Sequence, residues 1–89
     1  MVLMAKAIEI ENIEKNVVGV LPGMAAIVNQ TIKDLNINPE SPSRDELKAL
    51  VNKILERVSS FFGPEKAAKL KPLLEKSISY ARAEAFFGI

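Results

Sequence analysis

The chain has 89 residues and a mass of 9.8 kDa, which predicts one small domain with a single core. Its 12 Lys and Arg residues against 11 Asp and Glu residues give a formal charge of +1, which lacks the strongly positive field of dedicated nucleic-acid-binding proteins. The absence of Cys, His and Trp excludes disulfides, thiolate or imidazole metal ligands, and Cys- or His-based catalysis. We therefore expect no enzyme, no catalytic residues, no metal site and no cofactor.

The composition is that of a globular protein, with 48% hydrophobic and 26% charged residues. No apolar run approaches the ~20 residues that a membrane-spanning helix needs. The apolar stretch Met1 to Ala5 leads directly into Lys6, without the long hydrophobic region of a secretory signal. We expect a protein without membrane association and with a cytoplasmic location.

The first segment, Leu3 to Leu21, carries two conflicting patterns. Ile8 and Ile10 alternate with acidic residues as in a strand, whereas Ile10, Ile13 and Val17 recur at helical spacing. Periodicity alone leaves this segment undecided.

An internal repeat favours a helix there. A shift of 42 residues places Lys6 to Ile8 on Lys48 to Leu50, Pro22 on Pro64, and Ala25-Ala26 on Ala67-Ala68. The chain is then a duplicated helical hairpin, with repeat halves at 3–36 and 44–89 and a connector at 37–43. Because each half is too short to hold a core alone, the halves should form a four-helix cluster or pair with a second chain.

The second predicted helix runs from Gly23 to Asn36, and its apolar face comprises Met24, Ala25, Ile27, Val28, Thr31, Ile32 and Leu35. The segment Asn36 to Pro42 follows, and its two Pro and two Asn residues predict a connector.

The third predicted helix, Arg44 to Phe62, has the clearest signals. Ser43 and Glu46 form a capping-box pattern at its start, and Gly63 predicts a left-handed end. Its apolar face comprises Leu47, Leu50, Val51, Ile54, Leu55, Val58, Phe61 and Phe62.

The fourth predicted helix, Pro64 to Phe86, has a core face of Ala67, Leu70, Leu74, Ile78, Ala81 and Ala85. Pro72 lies inside it and predicts a kink or a break, because proline cannot donate to the carbonyl of Ala68. The fold class is therefore all-α, with four helices and the last one kinked at Pro72.

The last helix is apolar over more of its circumference than one neighbour covers. Leu73, Tyr80 and Phe87 recur every seven residues beside the core face, and the chain ends in the apolar residues Phe86, Phe87 and Ile89. We take Leu73, Tyr80, Phe86, Phe87 and Ile89 as a candidate interface for a second copy of the chain, giving a homodimer, or for another protein. The alternative is that the first helix covers this stripe within the monomer.

The string Leu21-Pro22-Gly23-Met24, with a helix on each side, resembles the hairpin of the helix-hairpin-helix family. The resemblance covers Val18 to Ile27 and implies that backbone N–H groups of the turn bind DNA phosphates. The chain has Ala25 where that family usually has a second glycine.

Three lysines of the last helix, Lys66, Lys69 and Lys76, share one stripe. Together with Gly23 they are the candidate contacts for weak nucleic-acid binding, which is the alternative function. A third possibility is a pocket for an apolar ligand between the hairpins, suggested by Gly19, Ala25, Ala26, Ala67 and Ala68. The Glu residues show no pattern of paired catalytic acids, and Glu14 is expected to pair with Lys15 or its turn neighbours.

Overall fold

The computed structural model describes the backbone of residues 6–87 and the side chains of residues 6–78. In that part of the chain there are four helices and no strand, which confirms the all-α class. The helices are α1 (Ile8–Val20), α2 (Ala25–Asp34), α3 (Arg44–Phe62) and α4 (Pro64–Phe87). The predicted bounds of the third helix are those observed.

Local sequence signals set three of the helix boundaries. The capping box is formed: Ser43 Oγ accepts from the Glu46 amide at 3.1 Å, and the Ser43 amide donates to Glu46 Oε1 at 2.7 Å. Gly63 ends α3 with φ 97° and ψ 157°, so the predicted left-handed helical conformation is wrong. This region of backbone space is open essentially to glycine alone. Gly23 has φ 83°, which excludes it from a right-handed helix, and α2 therefore begins at Ala25 rather than at Gly23.

The first helix begins later than predicted. Ala7 is its N-cap with φ −59° and ψ 148°, so α1 starts at Ile8 and the predicted start at Leu3 is wrong. The Ala7 amide donates to the carbonyl of Pro39 at 2.8 Å. This bond ties the entry of α1 to the connector and holds Ala7 extended, a tertiary effect that helical periodicity does not register.

The end of α2 is a Schellman motif. The amide of Ile37 donates to the carbonyl of Ile32 at 3.0 Å, and the amide of Asn36 donates to the carbonyl of Lys33 at 3.1 Å. Asn36 takes the left-handed conformation that this motif needs, with φ 56°. The motif turns Ile37 inward, so a residue of the predicted connector is buried in the core.

All four helices contribute to one core, and α4 packs extensively against both α1 and α3. The buried apolar side chains are Ile10, Ile13, Val17, Leu21, Val28, Ile32, Ile37, Leu47, Leu50, Val51, Ile54, Val58, Leu70 and Leu74. Predicted core positions Leu55, Ala67 and Ile78 pack at its margin, and Ala81 and Ala85 lie outside the described side chains.

The hairpin of α3 and α4 projects beyond this core. No residue from Ser59 to Lys69 is buried, and the side chain of Phe61 is 74% exposed. Phe61 and Phe62, which belong to the predicted apolar face of α3, are therefore not part of the core. The cause is length: α3 has 19 residues against 13 in α1 and 10 in α2, so its last turn extends past the neighbouring helices.

The last helix continues through Pro72 as one element. The predicted break is therefore not found within the described backbone. Pro72 is exposed, so its ring lies on the outer side of α4 and outside the core.

A charged contact links α1 to α2. Lys6 Nζ donates to Glu14 Oε1 and, at 3.2 Å, to Asn29 Oδ1. The expected pairing of Glu14 with Lys15 is therefore wrong, because Lys6 lies before the helix and folds back over its second turn.

Candidate functional site

An open groove of about 870 Å³ lies between α1 and α4. It is lined from α1 by Ile8, Asn12, Lys15 and Asn16, and from α4 by Leu73, Lys76 and Ser77. These residues recur every three or four positions on each helix, so each set occupies one helical face. The groove is thus the seam where the outer margins of the two helices meet.

Asn16 fixes the distance between the two helices at the floor of the groove. Its Nδ2 donates to Ser77 Oγ at 2.8 Å and to the carbonyl of Leu73 at 3.3 Å. Ser77 is buried, and its Oγ donates to the same Leu73 carbonyl at 2.9 Å. Because these residues are about 60 positions apart in sequence, the helical pattern gives no signal that joins them.

Two apolar side chains are left open to solvent at this seam. Ile8 is 54% exposed and Leu73 is 37% exposed. Val18, one of the other exposed large apolar residues, lies on α1 beside Lys15 and Gly19. The first helix therefore covers Leu73 of α4 only in part. Ile8 and Leu73 together leave an accessible apolar strip at the seam.

Two lysines stand at the margins of the groove, Lys15 on α1 and Lys76 on α4. The sequence pattern indicated Lys76 but not Lys15, which the packing of the helices brings to the same depression. Lys66 and Lys69 are also exposed, nearer the projecting hairpin, and share a small depression with Glu65. Gly23 lies in the separate turn between α1 and α2 and is not among the residues that line any of these depressions.

Most of the candidate interface falls beyond the described side chains. Leu73 is described and lies in the groove. Tyr80, Phe86 and Phe87 belong to α4, but their side chains are outside the described residues, and Ile89 is outside them altogether.

The small residues near the turns do not surround an internal cavity. Gly19, Ala26 and Ala68 are exposed, and Ala25 and Ala67 are half-buried. The small residues that suggested a pocket for an apolar ligand therefore lie at the surface or at the margin of the core.

The pKa of one acidic side chain, Asp34, is lowered. The Arg57 guanidinium, and after it the Gln30 amide, donates a hydrogen bond to Asp34 and holds the pKa of that carboxyl below its usual value of 3.8. This contact joins α3 to α2, involves none of the residues that line the groove, and serves helix packing. In the described part of the chain, no three His, Cys, Asp or Glu side chains come together as metal ligands.

Comparison of the chain with protein-family models, with curated proteins and with solved structures finds no match. The described helices include none with the length and hydrophobicity to cross a bilayer.

Proposed function

We propose that the protein is a small, non-enzymatic helical interaction module that self-associates through the face formed by α1 and α4. The observation that carries this proposal is the accessible apolar strip at their seam. Ile8, Val18 and Leu73 are three of the five large apolar side chains that the described structure leaves exposed. Exposed large apolar side chains that lie among polar groups on one face are typical of a protein-binding surface.

The sequence extends this face along α4. Tyr80 and Phe87 follow Leu73 at seven-residue intervals, the spacing of a helix-packing seam. A second copy of the chain is the simplest occupant, because the small size of the domain leaves little surplus stability without further burial.

Sedimentation equilibrium of the wild-type chain and of two variants tests the proposal. Self-association should raise the mean mass above 9.8 kDa as concentration increases. Leu73→Glu should shift the equilibrium toward the monomer, because a carboxylate would enter an apolar contact. Phe61→Ser is the matched control, since it alters the separate exposed patch at the tip of the α3 and α4 hairpin. A wild-type mass of 9.8 kDa at all concentrations contradicts the proposal.

Nucleic-acid binding is the second candidate function. It is favoured by the exposure of Lys66, Lys69 and Lys76 and by the position of Lys15 beside Lys76. The test is electrophoretic retardation of DNA and RNA at low salt, where each phosphate contact should contribute a slope of about −0.9 in log affinity against log salt. A triple Lys→Gln variant at Lys66, Lys69 and Lys76 should lose retardation, and Lys48→Gln on α3 should not. No retardation of the wild-type chain at low salt contradicts this candidate.

We also propose that the chain contains two copies of one helical hairpin and that α4 bends at Pro72. Buried Val28 and Ile32 correspond to buried Leu70 and Leu74 at a shift of 42 residues, which supports a copy of the second helix in the fourth. The buried positions of α1 and α3 (Ile10, Ile13, Val17 and Val51, Ile54, Val58) correspond at a shift of 41. We infer that the two hairpins are copies whose turns differ in length by one residue. The bend at Pro72 would then lie immediately before Leu73.

A further inference from the structure

We infer that the outer stripe of α1, defined as Ile8, Glu11, Lys15 and Val18, forms the centre of a two-fold homodimer in which two copies of α1 pack antiparallel. This inference rests on the proposed self-association and names the surface that performs it. All four side chains are exposed.

The stripe is a single row on the face of α1 opposite the core. Its members are separated by three, four and three residues, the spacing that aligns side chains on one helical face. Ile10, Ile13 and Val17 occupy the opposite face and are fully buried. Between Ile8 and Val18 the row is roughly 15 Å long at the helical rise per residue.

The order of side chains along the row is apolar, acidic, basic, apolar. When a second copy runs in the opposite direction about a two-fold axis near residue 13, Ile8 faces the partner's Val18 and Glu11 faces the partner's Lys15. A two-fold axis repeats each pair, so four favourable contacts arise from four residues. A parallel arrangement would instead place Glu11 on the partner's Glu11 and Lys15 on the partner's Lys15, which is repulsive.

This self-complementary order is what selects a second copy of the chain as the occupant. The groove beside the stripe adds Leu73 to the contact, and exposed Gly19, which follows Val18 on α1, carries no side chain that would hold the two helices apart. The row alone falls well short of the ~800 Å² per partner of a standard interface, so the dimer is expected to be weak.

Charge reversal tests the pairing in the full-length chain. Glu11→Lys and Lys15→Glu should each weaken dimerisation by at least ~10-fold, because each places like charges together twice across the axis. The double variant restores opposite charges and should return to within about 3-fold of the wild type. Glu40→Lys and Lys48→Glu are matched controls, since both residues are exposed, lie outside α1 and α4, and change the net charge equally.

Sedimentation equilibrium gives the dissociation constants, and circular dichroism with urea unfolding shows that each variant is folded, since Glu11 also lies in the first turn of α1. The pairing of Glu11 with the partner's Lys15 is overturned if the single variants have the same dissociation constants as their controls. It is also overturned if the double variant does not regain the affinity of the wild type. In either case the self-association of the wild type still stands. A wild-type chain that stays monomeric overturns the proposed function itself.

Discussion

Arg57 on α3 reaches across to Asp34, the last residue of α2, with its Nη2 2.6 Å from Asp34 Oδ2. Its Nη1 donates to the buried Thr31 Oγ1 at 2.9 Å. The Arg57 guanidinium therefore holds α2 against α3 through both an ion pair and a hydrogen bond to a buried hydroxyl.

This contact predicts a pH dependence of stability. The hydrogen bond from Arg57 lowers the pKa of Asp34 in the folded state below its unfolded value. Because the folded pKa is depressed, this contribution to stability is fully present above the unfolded value of 3.8 and is lost as pH falls through the folded pKa. The urea midpoint of the wild type should therefore decrease below about pH 4, and Arg57→Met should flatten that decrease.

At neutral pH, Arg57→Met should destabilise the fold by about 1 kcal/mol from the lost Thr31 hydrogen bond alone. Lys48→Met is its control, because Lys48 is an exposed lysine on the opposite face of α3 from Arg57 and should change stability by no more than about 0.5 kcal/mol. Equal destabilisation by the two variants, or an unchanged acid limb in Arg57→Met, would show that the α2 to α3 contact carries no stability.

Two glycine substitutions should have opposite effects. Gly63→Ala should destabilise the fold by about 1 to 3 kcal/mol, because its φ of 97° and ψ of 157° suit glycine alone. A Cβ at Gly63 would meet nothing within 4 Å, so the expected loss is backbone strain rather than a clash. Gly19→Ala also has open space, but it lies inside α1, where alanine should stabilise by about 0.5 to 1 kcal/mol.

Thermal and urea unfolding of the two variants at low protein concentration provide the comparison. Destabilisation by Gly19→Ala would mean that α1 is not a regular helix at this position. A neutral Gly63→Ala would mean that the turn between α3 and α4 has a different conformation.

The floor of the groove can be tested by a double-mutant cycle. Asn16→Ala and Ser77→Ala should each lower the free energy of unfolding by about 1 kcal/mol, the usual contribution of one hydrogen bond. Because Asn16 Nδ2 lies 2.8 Å from Ser77 Oγ, the two effects should be coupled by at least about 0.5 kcal/mol in urea unfolding. Additive effects would indicate that α1 and α4 are not joined at this point.

The sequence predicts a helix boundary correctly where the residues that set the boundary lie within or next to that helix. The bounds of α3 follow from Ser43, Glu46 and Gly63, all within or next to the helix. The start of α1 depends instead on the bond from Ala7 to Pro39, which lies 32 residues away in sequence. No periodic pattern contains that bond.

The candidate site shows the same division. The heptad spacing of α4 identifies Leu73 as accessible, and the structure places it in the groove. The amphipathic pattern of α3 also includes Phe61, yet a pattern does not reveal that the neighbouring helices are shorter. Lys15 was missed because its association with Lys76 arises only when α1 packs against α4. Ile37 had a usable signal, since Asn36 followed by an apolar residue is typical of a Schellman end.

The seam of α1 and α4 is proposed to bind a second copy of the chain. The most direct measurement is a dilution series of amide chemical shifts by two-dimensional NMR of the wild-type protein, up to the highest concentration at which it dissolves, because a small interface is expected to be weak. We predict concentration-dependent shifts concentrated on α1 and on α4 around Leu73, with little change at Thr31 and Asp34. Spectra that do not change with concentration, or shifts confined to Phe61 and Phe62 at the hairpin tip, would contradict the account.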